Sequence, residues 1–231
     1  MPPLETTRSG TTKAAGRITG LALLGLIGTG ILAAFALGTD LDVNMTADVE
    51  ATGAAMLEGG GRLHAAAYLG VLTAALELLV VSGFFVLLAR HDLLLAVWGL
   101  LLGLTGVALG LAGSLAALNA AEIAARPSLA AQGAMLASVE ALRDYTGFHL
   151  GLLVSSLSNA VFFVLFLAAR AIPRLIAAWG LFASLLVAGV LIGRDFVPVL
   201  GSASVTAAFL AANLVALVST GGWLALKGVR G

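Results

Sequence analysis

A single carboxylic acid stands inside an otherwise apolar run: Glu77, in "VLTAALELLVV". A charge at the centre of a membrane-spanning helix costs about 2.5 to 3.5 kcal/mol to insert, so such a group turns from lipid toward other helices. Hydroxyls and amides able to meet it occur in two further apolar runs. Ser155, Ser158 and Asn159 are three and four positions apart, and so lie on one side of a helix; Asn213 lies in the last run. Together they predict a polar midplane pocket that holds a proton, a cation or the polar group of a ligand, with the Glu77 proton as its switch. The same residues support a plainer reading, an interhelical hydrogen-bond cluster worth about 0.6 kcal/mol per contact. Both readings stay open on the sequence.

The other groups with chemical potential are histidines. His64 and His149 each open an apolar run that starts on the same side, whereas His91 sits in a turn on the other. Two imidazoles at one level, joined by Glu122 or Asp144, are the elements of a metal or haem site. Without H-x-x-x-H or E-x-x-H spacing, interfacial hydrogen bonding accounts for them more simply. Because the three histidines cannot meet, a three-histidine intramembrane hydrolase is disfavoured. Ser155 and Ser156 share a run with His149, but no G-x-S-x-G elbow surrounds them, so no catalytic residue is assigned. No cysteine is present, which removes disulfides, thiolate metal sites and thiol nucleophiles. No cofactor is implied.

What positions these groups follows from composition. Of the 231 residues 60% are hydrophobic and 10% charged, far from soluble usage, and the formal charge of zero points to no nucleic-acid partner. Six nearly uncharged runs are each long enough, at 1.5 Å per residue, to cross about 30 Å of hydrocarbon. They cover 18–38, 63–89, 93–118, 148–169, 175–193 and 205–226, between tails at 1–17 and 227–231. A helix satisfies its own backbone in lipid and no alternation of polarity marks a barrel, so the fold class is all-α: a polytopic six-helix transmembrane bundle.

Eight Lys and Arg fall on the side of the two tails and four on the other, which places both termini in the cytoplasm. The N-terminal run, with Ala34-Phe35-Ala36, also imitates a cleavable signal peptide, but its 21 residues exceed the usual h-region, so it is read as a retained span. The outer connections are long. "TADVEATGAAMLEGGG", between spans one and two, and "SLAAQGAMLASVEALRDY", between spans three and four, each predict a short interfacial or surface helix.

Span three carries a regular seam. Gly99, Gly103, Gly106, Gly110, Gly113 and Ala117 advance by 4, 3, 4, 3 and 4 residues and stay close to one line of a helix. Such a groove of small residues lets another backbone approach, either within the chain or from a membrane partner or second copy. The spacing is not that of a dinucleotide loop.

"RITGLALLGL" at the first span, "DYTGFHLG" entering the fourth and "IPRLIAAWGLFASLLVAG" at the fifth together resemble the bacterial integral-membrane family known as domain of unknown function 4386. The most specific piece is Pro173-Arg174 followed by Ala177-x-Trp179-Gly180. The resemblance implies a six-span protein of the bacterial inner membrane without an assigned activity, and it carries over no site residue. Two functions from different classes follow. One is a small-molecule or ion binding or transport protein built on the Glu77 pocket, with spans one to three and four to six as candidate inverted halves. The other is a structural or accessory membrane protein acting through the glycine seam.

Overall fold

The computed structural model describes residues 4–37, 58–125 and 149–229. Its long elements are all helices: α1 (Leu4–Leu37), α2 (Gly60–Leu88), α3 (Leu93–Ala124), α4 (Gly151–Ala169), α5 (Arg174–Gly193) and α6 (Ala203–Lys227), with a 3-10 turn at Pro198–Gly201 before α6. Among the described residues there is no strand. All six helices contain a segment long and apolar enough to cross a membrane; the shortest, α4, has 19 residues, about 29 Å of helix.

Two helix bounds differ from the hydropathy reading by more than three residues. The expected tail at 1–17 is helical from Leu4, and α3 continues to Ala124 past the expected end at Leu118. Hydropathy marks where a helix is apolar, whereas helix formation also follows propensity, which is high in "KAA" and "AALNAAEIA". Of the interfacial helices expected in the outer connections, the second lies outside the described residues, as does the first up to residue 57; Gly60 and Gly61, expected to end the first, instead begin α2.

The chain divides into two compact units. The first comprises residues 1–27, 76–105 and 153–231. Its core is an aromatic cluster in which Phe84 meets Phe162 and Phe166 edge-on, with ring centroids 5.4 and 5.1 Å apart. Phe163 packs beside Phe166, and all four rings are buried. Small residues make room for these rings. Gly180 of α5 faces the Phe163 ring so closely that a methyl group would fall on it, and Gly99 of α3 lies beneath Phe162.

In the same unit α1 and α6 touch backbone to backbone. A Cβ on Gly20 would lie 2.7 Å from the Gly221 carbonyl oxygen and 2.9 Å from the Leu224 carbonyl carbon, with the Ala225 amide nitrogen closer still. Without burial of apolar area as a driving force in lipid, such close approach supplies the dispersion contacts that hold helices together. Gly228, with φ at 69°, ends α6 and returns its N–H to the Leu224 carbonyl at 3.0 Å.

The second unit comprises residues 28–75 and 106–152. It packs α2 against α3 through small side chains, and Leu63, Ala66, Ala67, Ala117, Ala120 and Ala121 are buried. Gly70 faces Ser114 at a separation that leaves no space for a methyl group. Gly151 of α4 lies against the Gly106 carbonyl and the Gly110 amide of α3, where an added Cβ would sit at 3.6 Å from each.

Candidate functional site

Glu77 lies in the middle of α2 and is half-buried. Its Oε1 accepts a hydrogen bond of 2.6 Å from the Ser155 hydroxyl on α4, across 78 positions of sequence. Both residues belong to the first unit. A serine hydroxyl has one proton to give and two lone pairs to offer. With the proton committed to Glu77, the Ser155 oxygen presents only acceptor capacity to anything else at the site. A carboxyl oxygen and a hydroxyl oxygen turned this way form the beginning of a site for a proton or a small hard cation.

The other residues expected beside Glu77 make no hydrogen bond to it among the described residues. Ser158 is buried and donates to the Gly99 carbonyl oxygen of α3 at 2.6 Å. Three residues on a helix turn the side chain by about 300°, a 60° offset that sends Ser155 to α2 and Ser158 to α3. Asn159 on α4 and Asn213 on α6 are half-buried. Among the described residues no hydrogen bond joins Ser158, Asn159 or Asn213 to Glu77. The polar face of α4 thus serves two neighbours.

A second polar pair was not singled out on the sequence. Thr73 lies four positions before Glu77, and its hydroxyl is 3.0 Å from that of Thr29 on α1, within the second unit. The i, i+4 relation to Glu77 was the available signal. Threonine hydroxyls are usually absorbed by their own helix, as Thr73 also bonds the Leu69 carbonyl at 2.8 Å, and so draw little notice in a sequence.

Of the histidines, His64 has Nδ1 2.9 Å from the Gly60 carbonyl oxygen, which places the proton on that nitrogen. Its Nε2 lies 3.5 Å from Glu122, one of the two acids expected near it. His149 is buried at 3% exposure. Asp144 lies outside the described residues. Among the described residues no group of three or more His, Asp or Glu side chains could hold a metal ion.

The seam of α3 is turned inward. Gly99, Gly103, Gly106, Gly113 and Ala117 are buried and Gly110 half-buried. In the first unit Gly99 receives Phe162, and a Cβ on Gly103 would lie 2.6 Å from a Val81 methyl and 3.0 Å from the Ser158 hydroxyl. In the second, Gly106 and Gly110 meet Gly151.

Six helices able to span a bilayer, with an acid inside one of them, define a multi-pass membrane protein. Residues 18–228 match the model of the family described as Domain of unknown function (DUF4386), and the chain belongs to that family. No curated protein and no solved structure matches it.

Proposed function

We propose that the chain is a multi-pass protein of the bacterial cytoplasmic membrane, with both termini inside, that binds and moves a proton or a small cation at Glu77. The observation that carries this reading is the Ser155 to Glu77 hydrogen bond within two apolar spans. A carboxyl at this position burdens insertion by about 2.5 to 3.5 kcal/mol if charged, while an interhelical hydrogen bond returns only about 0.6 kcal/mol. A residue that costs more than its contact returns fits a binding role better than a packing one. Its half-burial supports access from outside the protein core.

The alternative, docking of a partner or second copy through the glycine seam, requires a groove open to lipid. The burial of Gly99, Gly103, Gly106 and Gly113 speaks for the first reading.

The test is infrared difference spectroscopy on protein reconstituted in lipid nanodiscs, with buffers exchanged between Na+, K+ and two values of pH. A carboxyl C=O band that responds to one of these exchanges in the wild type and vanishes in Glu77→Gln is the expected result. Spectra in which no band depends on Glu77 would refute the proposal. Since the chain has no cysteine, single cysteines placed in each tail report orientation by labelling from the two sides of intact cells.

A further inference from the structure

Six exposed cations gather at one end of the first unit: Lys13 and Arg17 on α1, Arg90 in the turn after α2, Arg170 and Arg174 on either side of the turn between α4 and α5, and Lys227 at the end of α6. Packing, not proximity in sequence, collects them. Leu88 near Arg90, Ala171 and Ile172 between the two turn arginines, and Leu224 near Lys227 all belong to one buried apolar cluster. Lys13 joins them because Gly228 packs on it, with a Cβ there 3.7 Å from the Lys13 Cα.

The described side chains at this end offer one carboxylate, Asp92, and its Oδ1 already accepts the Leu95 N–H at 3.0 Å. None of the six cations forms an ion pair among the described residues.

Leucines stand exposed among these charges. Leu93 and Leu94 follow the Arg90 turn, Leu175 follows Arg174, and Leu226 precedes Lys227, each more than 60% exposed. Trp98 and Trp179, also exposed, lie five positions inside α3 and α5, about 8 Å beyond the two basic turns. A surface made for a soluble polyanion would not set bare leucines between its cations. The boundary between acyl chains and headgroups accommodates leucine, tryptophan and arginine together.

We propose that this end is a collar for anionic phospholipid, in which Arg90, Arg170 and Arg174 hold headgroup phosphates while the adjacent leucines and the two tryptophans enter the acyl boundary. Each cation near an anionic leaflet adds attraction that salt screens within about 8 to 10 Å, so the collar selects lipids by charge.

The experiment uses the full chain in bilayers that mix phosphatidylcholine with phosphatidylglycerol, one of the two brominated on its acyl chains in turn. With the third tryptophan, Trp223, replaced by phenylalanine throughout, tryptophan quenching then reports which lipid sits against Trp98 and Trp179. The expected result is a preference of about threefold or more for phosphatidylglycerol in low salt, falling toward one as NaCl is raised to about 0.5 M. The variant R90Q/R170Q/R174Q loses the preference, and R90K/R170K/R174K keeps it. Equal quenching by both lipids in low salt overturns the proposal and leaves the collar to a protein partner or to water. A preference that survives the Gln substitutions also overturns it. Should that variant fail to fold, a wild-type preference insensitive to salt has the same force.

Discussion

Replacing Gly20 by alanine places a methyl group where α6 already has its backbone. The new Cβ would lie 2.7 Å from the Gly221 carbonyl oxygen and 2.9 Å from the Leu224 carbonyl carbon, against an ordinary contact of 3.4 Å or more. No rotamer change relieves this, because the obstructing atoms are main chain. The helices must separate by more than half an ångström, and a gap of 0.5 to 1 Å forfeits a quarter to a half of each dispersion contact along the crossing. Overpacking of this kind costs about 1 to 3 kcal/mol, while alanine returns up to about 1 kcal/mol of helix propensity. Gly222→Ala supplies the reference, since nothing lies within 4 Å of a Cβ there and only the propensity gain operates. The difference between the two variants isolates the clash and is expected to be about 1 to 3 kcal/mol. Reversible unfolding of the detergent-solubilised or bilayer-reconstituted protein measures it. If Gly20→Ala proves as stable as Gly222→Ala, the close crossing of α1 and α6 is wrong.

Gly180→Ala meets the buried Phe163 ring and should cost about 1 to 3 kcal/mol; Phe163→Leu in the same chain should recover much of that loss, as a thermal unfolding series would show. Ser155→Ala removes the hydrogen bond donor of Glu77, and a double-mutant cycle with Glu77→Leu, which removes the acceptor, should return a coupling of about 0.6 kcal/mol and no more than about 1.7. Ser158→Ala should cost less than Ser155→Ala in the same assay, because the Gly99 carbonyl it leaves lies inside α3 and keeps its helical partner. Glu122→Gln should change stability by less than about 1 kcal/mol, since its pairing with His64 is partly solvent-accessible.

The spans were legible in the sequence because lipid leaves the backbone one economical solution, so that length and apolarity alone select helices. The basic turns at Arg90 and at Arg170 to Arg174 were legible for a related reason, as charge marks where a helix leaves the hydrocarbon. Glu77 stood out because an acid in such a run has few structural excuses. The pairing of Glu77 with Ser155 and not Ser158 could not be read from spacing, which groups both on one side of α4. Their 60° difference acquires meaning only once α2 and α3 occupy definite positions beside that helix. Gly20 and Gly221 are likewise unremarkable alone, in a chain with 29 glycines.

By itself the amino-acid sequence determined the helical class, the six membrane-spanning segments and the single acid placed within them, because these depend on the free energy of each segment in lipid. Which helix faces which, and so which hydroxyl serves Glu77 and which glycines carry the packing, was decided by the tertiary structure alone. Those choices rest on contacts of a few ångströms between residues distant in sequence, and a one-dimensional pattern does not encode them.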